Sequence, residues 1–136
     1  MVRVEFRFWK MPWYYRLLAL NPYYGHVAVY LPIDQLWLNR SLYEDRNGWL
    51  THYAQDHDYS ISILVKEANI AKADAILQKP YCKWLYPVDN CVTFASVIAS
   101  GSRKLCSMQL LLSFLRTVHQ SQTRMASEVL ERLGNG

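Results

Sequence analysis

The sequence predicts an α+β domain, with helices packed on an antiparallel sheet. Three observations carry this. Segments that alternate apolar and polar residues fill the first half, and segments with apolar residues at helical spacing fill the second. A proline-led turn at 32–35 separates two strand-like segments by the distance a hairpin needs. The chain has 136 residues, 51% of them hydrophobic, which suits one modest core rather than a disordered chain. A single domain over 1–136 is therefore expected, with a C-terminal helical segment from about residue 104.

Residues 2–9 place Val2, Val4, Phe6 and Phe8 on one side and Arg3, Glu5 and Arg7 on the other, a half-buried strand. Pro12 opens the aromatic stretch 13–20, read as a short helix or turn that Asn21-Pro22 breaks. Residues 25–31 form a second strand, with His26, Ala28 and Tyr30 on one face and Val27, Val29 and Leu31 on the other. Residues 36–40 pair with it as a hairpin. The polar and aromatic stretch 41–58 reads as a long surface loop, with Asn47-Gly48 as a turn and a helical turn over 49–54. Residues 59–65 alternate again and give a further strand. A helix over 67–77 turns Ile70, Ala73, Ile76 and Leu77 inward, and Lys79-Pro80 ends it. Residues 81–86 form a loop or short strand. Beyond it lie a helix over 105–118, a separate amphipathic helix over 121–133, and a fraying end at Gly134-Asn135-Gly136.

Composition excludes several classes. The net charge of +4 is mild and no Lys/Arg cluster is dense, so no nucleic-acid partner is expected. No apolar run reaches the roughly 18–20 residues of a membrane span, so contact with a membrane surface is the most the Leu110–Leu115 run suggests. Arg3, Glu5 and Arg7 interrupt the N-terminus, and no signal peptide is expected. Cys82, Cys91 and Cys106 are odd in number and lack a C-x-x-C pair, so a reducing compartment is the simpler setting. His52 and His57, beside Asp56 and Asp58, lie five apart and do not share a helix face, so no metal is expected, nor a cofactor.

One stretch carries chemistry. Pro87 disfavours helix at Tyr86. Asp89 or Asn90 can cap a helix in which Val92, Ala95, Ile98 and Ala99 form a buried stripe, and Gly101 suits the left-handed position at its end. Cys91 then lies in the first turn. There free N–H groups and the helix dipole favour a thiolate, with a pKa below the usual value of about 8.5. The Asp89 carboxylate opposes that effect. A thiol nucleophile needs a base, and the base an orienting partner. His26, at the start of a strand, is the candidate base. Asn39, near the end of the next strand, is the candidate third member, with His52 in reserve. Tyr86 and Asn90 are candidates for an oxyanion hole. Read singly, these residues suit ordinary roles: a small core thiol, a structural histidine, a strand-edge amide.

Tyr24-Gly25-His26-Val27-Ala28-Val29-Tyr30-Leu31 resembles the H-[WY]-[GA]-[IV]-Y-[VL] strand of the circularly permuted papain-like enzymes. Asp89-Asn90-Cys91-Val92-Thr93-Phe94 resembles their N-C-E-H-F helix start. That group includes lecithin:retinol acyltransferase, the H-rev-type phospholipase/acyltransferases and NlpC-like bacterial hydrolases. The two motifs cover about a quarter of the chain, roughly 23–40 and 86–101. The resemblance implies a permuted papain-like fold, with Cys91 as nucleophile, His26 as base and Asn39 completing the triad. Asn39 stands where the animal acyltransferases have His, Val92-Thr93 replaces their Glu-His, and Pro32 replaces the usual Gly. The Asn resembles papain itself, while the other two departures point toward a diverged bacterial or phage hydrolase.

The expected function is a thiol hydrolase that cleaves a peptide or peptidoglycan-type amide, or an ester, through an acyl-enzyme. A lipid acyltransferase or phospholipase is the enzyme alternative. A non-catalytic interaction module of the same fold, in a phage particle or as an effector with a protein partner, is the other. The aromatics Trp9, Trp13, Tyr14, Tyr15, Tyr23 and Tyr24, with Lys83-Trp84-Leu85-Tyr86, read as core packing or as a groove wall.

Overall fold

The computed structural model describes residues 1–11, 24–41, 47–53, 56–85 and 88–135. The predicted segment 13–20, its break at Asn21-Pro22, Tyr23, Tyr86 and Gly136 lie outside them. The fold is α+β: an open five-stranded antiparallel sheet with three helices. The strands are β1 (Val2–Lys10), β2 (Tyr24–Leu31), β3 (Leu36–Asn39), β4 (Gly48–Leu50) and β5 (Tyr59–Val65). They run in the order β4-β3-β2-β1-β5. The helices are α1 (Glu67–Leu77), α2 (Cys91–Ser100) and α3 (Met108–Asn135).

Alternation sorts the sheet's side chains as the sequence predicts. Val4, Phe6 and Phe8 of β1 and Val27, Val29 and Leu31 of β2 enter one core with Phe94, Ala95, Val97 and Ile98 of α2 and Leu111, Leu112 and Leu115 of α3. Trp9, Ala28 and Trp37 form a smaller aromatic core on the other face, joined by Tyr30, Leu50 and Tyr53. On that face the Arg7 guanidinium stacks over Tyr30 at 3.9 Å and over Trp37 at 4.6 Å. The hairpin of β2 and β3 pairs Val29 with Leu38, Tyr30 with Trp37 and Leu31 with Leu36.

Helix α2 begins and ends as its sequence dictates. Asn90 is the cap: its Oδ1 accepts from the N–H groups of Val92 and Thr93, and Thr93 Oγ1 accepts from the Asn90 N–H. Gly101 takes the left-handed conformation at φ 83°. A Cβ there would meet Asn69 Oδ1 at 2.8 Å, so glycine is required on two counts. From α1, Asn69 donates to Ile98 O and Lys72 to Gly101 O, satisfying carbonyls at the end of α2.

Three expectations are corrected. The helical turn over 49–54 is instead edge strand β4, whose pairing puts Trp49 opposite Leu38. Asn47 closes the preceding loop by exchanging two hydrogen bonds with the Ser41 backbone, which delivers the chain to β3 in register. The two C-terminal helices are one. His119-Gln120 contains no breaker, and His119 and Gln122 bind the backbone of β5 across the expected gap. Of the two expectations for 81–86, the loop is found over the described residues 81–85, which hold a 3-10 turn at Lys83–Leu85. The helix expected from residue 105 begins instead at Met108, and Leu105 is exposed. Among the described residues no helix is long and apolar enough to cross a membrane.

Candidate active site

His26 sits beside an irregularity in the sheet. β1 pairs Trp9 with His26 and then Lys10 with Tyr24, so Gly25 is an extra residue. The bulge changes which face the chain presents. Tyr24 turns to the main core, packing on Phe8 and Tyr59, while His26 turns to the aromatic face. Gly25 suits this place, since a Cβ there would meet Met11 Cβ at 3.3 Å.

The imidazole lies within reach of Asn39, which is wholly buried at the end of β3. His26 Nε2 donates to Asn39 Oδ1 at 3.0 Å. Since Oδ1 can only accept, Nε2 carries a proton in this bond. Aromatic rings cover this bond. Trp9 and Tyr53 stack at 4.6 Å, and their centroids lie 5.6 and 6.3 Å from the imidazole. Trp37 closes the cluster against Tyr53 at 5.0 Å.

Cys91 is the first residue of α2 and packs against the main core. Its sulfur meets β2 at the backbone. The N–H groups of Val27, Cys91 and Val92 are directed at it and favour the thiolate, but burial outweighs them and pushes the thiol above its ordinary pKa. The depressed pKa expected from a helix start is therefore not found. The helix end is present as expected, and desolvation by the surrounding core exceeds it. The structure brings His26 and Asn39 into contact and sets the sulfur against the residue after His26.

The other candidates divide. Asn90 Oδ1 is committed to the cap of α2. That cap takes the N–H groups of Val92 and Thr93 and leaves that of Cys91 outside it. Tyr86 lies outside the described residues. His52 is exposed, and His57 lies edge-on to Trp9 at 6.4 Å. Among the described residues no three His, Cys, Asp or Glu side chains gather to hold a metal. Trp84 and Leu85, just upstream of α2, are exposed.

Sequence reasoning missed one buried ion pair. Arg40 follows Asn39 and grips Asp89 with two hydrogen bonds, Nε to Oδ1 at 3.0 Å and a terminal nitrogen to Oδ2 at 2.7 Å. Asp89 is thus a partner for arginine and not the helix cap. Breaking such a buried pair from one side costs about 3–5 kcal/mol. The signal was legible in principle: Arg40, one residue past β3, continues the helix-facing side on which Leu38 is apolar.

No family model, curated protein or solved structure matches this chain.

Proposed function

We propose that the chain is a thiol hydrolase of permuted papain-like type, acting on an amide or ester through an acyl-enzyme on Cys91. The observation that carries the reading is the His26–Asn39 hydrogen bond, made by the residue next to Val27, whose N–H is directed at the Cys91 sulfur. In this reading the Cys91 proton passes to His26 Nδ1 as sulfur bonds to the acyl carbon. The Cys91 N–H supports the developing oxyanion. The amine or alcohol leaves with the proton from His26, giving a thioester. Water, losing its proton to His26, then releases the acid and restores the thiol. Because burial disfavours the thiolate, the resting sulfur keeps its proton and His26 acts as a general base. A peptide or peptidoglycan-type amide is the preferred substrate class.

The test is mass spectrometry of the intact protein after incubation with an activated ester such as p-nitrophenyl acetate. An acyl adduct on Cys91, absent in Cys91→Ala and strongly reduced in His26→Ala, is expected. A folded protein that acquires no adduct at Cys91 overturns the reading.

A second reading, an interaction module of the same fold, is favoured by the far half of α3. There Met125, Val129, Leu130 and Leu133 are all exposed on one helix. Retention of function in a partner-capture assay by Cys91→Ala would support it.

A further inference from the structure

Asn39 and Arg40 are consecutive, and alternation sends their side chains to opposite faces of the strand end. Asn39 meets the imidazole, while Arg40 turns toward the helices and holds Asp89, two residues before Cys91. Both members of the ion pair are almost wholly buried. Arg40 also donates to Lys79 O at 3.4 Å, and its guanidinium lies 5.1 Å from the Tyr81 ring. Asp89 is fixed from its other side, its N–H donating to Leu85 O at 2.6 Å. The next residue, Asn90, caps α2. An unbroken run of short contacts and peptide bonds therefore leads from the imidazole through Asn39, Arg40, Asp89 and Asn90 to the sulfur. Stability alone does not account for such a pair, because apolar replacements of a buried ion pair are commonly as stable.

We propose that Arg40 and Asp89 are positioning residues: they fix the first turn of α2, and with it Cys91, against the strand end that holds Asn39 and the His26 ring. The proposal rests on the thiol-hydrolase reading. The pair serves the site in two ways. Its two-pronged geometry sets distance and angle, which a lysine could not reproduce. It also engages a carboxylate that would otherwise oppose charge on the nearby sulfur. Among the described residues, the charged and titratable groups this run links to the nucleophile are His26 from β2, Arg40 from the end of β3, and Asp89 from the loop before α2.

The experiment measures mass-mapped alkylation of Cys91 by iodoacetamide from pH 5 to 9. It compares wild type, His26→Ala, Arg40→Lys and the double variant Arg40→Met/Asp89→Leu, with circular dichroism to report folding. The folded double variant should lose the His26-dependent part of the wild-type profile and coincide with His26→Ala. Its rate near pH 7 should be about tenfold lower, as for loss of an orienting partner. A folded double variant with the wild-type profile overturns the proposal. If the double variant does not fold, Arg40→Lys decides: a profile moved toward His26→Ala supports the proposal, and a wild-type profile overturns it. If His26→Ala alkylates as wild type does, the hydrolase reading itself fails, and the positioning role falls with it.

Discussion

Asn39 accepts the Nε2 proton of His26 across 3.0 Å, from a position with no solvent exposure. The bond fixes the ring plane. Asn39→Ala frees the ring to rotate and leaves a shielded N–H without its acceptor, at about 1–3 kcal/mol of stability. Turnover of an activated ester should fall roughly 10–100-fold, the range seen when outer-shell partners are lost. Asn39→Asp adds a charge that stabilises the imidazolium and should keep or raise activity. His52→Ala, at an exposed position, should behave as wild type. Steady-state kinetics of the three variants check this. Activity surviving in Asn39→Ala while lost in His52→Ala would make His52 the orienting residue.

Tyr53 stacks on Trp9, lies tilted against Trp37 and has its ring centroid 6.3 Å from the imidazole. Tyr53→Ala removes those contacts, worth about 0.5–1.5 kcal/mol per aromatic pair beyond area. It also admits water to compete for Asn39. We expect a lower urea midpoint and a several-fold loss of kcat. Parallel unfolding and kinetic curves separate the effects. Wild-type kcat in a destabilised Tyr53→Ala would show that the cover is structural only.

Much of this was legible in the sequence because it depends on short-range rules. The period of two assigned the faces of β1, β2 and β5, and the Asn90 and Gly101 ends of α2 follow from capping chemistry. The hairpin brought residues 26 and 39 near each other for the same reason. What escaped depends on distant partners. Strand β4 has three residues and is held by pairing with β3, so it has no periodic signal of its own. The continuity of α3 past residue 119 depends on the edge of β5. The thiol's pKa is set by how tightly the core closes round it, which no local motif encodes.

Gln122 treats the outer edge of β5 as a missing strand would. Its amide accepts from Leu64 N at 2.9 Å and donates to Leu64 O at 3.0 Å, while His119 donates to Ser62 O at 2.7 Å. An uncovered edge invites pairing with other chains. Gln122→Ala gives up two hydrogen bonds of about 0.5–1.5 kcal/mol each. It should lower the urea midpoint and increase aggregation on light scattering. Gln122→Glu keeps only the acceptor and should fall between. Removal of residues 124–135, of which Met125, Val129, Leu130 and Leu133 are exposed, should leave the midpoint unchanged.

The last prediction separates a neutral Cys91–His26 pair from a preformed ion pair, using stability rather than activity. Burial raises the folded thiol above its ordinary value, which is about 8.5 in the unfolded chain. Below that value both states keep the proton, and Cys91 contributes no pH dependence. Above it the unfolded chain has lost the proton and the folded chain retains it. The unfolded state then binds fewer protons, so stability falls as pH rises, by at most about 1.4 kcal/mol per pH unit. Cys106 is raised by burial too, against the opposing pull of Lys104, and adds a drop of the same sign. The comparison must therefore be wild type minus Cys91→Ala, by urea denaturation under reducing conditions. An ion pair would also retain one proton at alkaline pH, on the imidazole, so the alkaline limb does not discriminate. The acid side does. A folded thiolate would hold one proton fewer than the unfolded chain below the ordinary imidazole pKa of about 6.5, and the difference would climb with pH there. A neutral thiol predicts a flat difference between pH 4.5 and 6.5 and a decline above about 8.5. A climb on the acid side would show that the thiolate is preformed and that the N–H groups of Val27, Cys91 and Val92 outweigh burial after all.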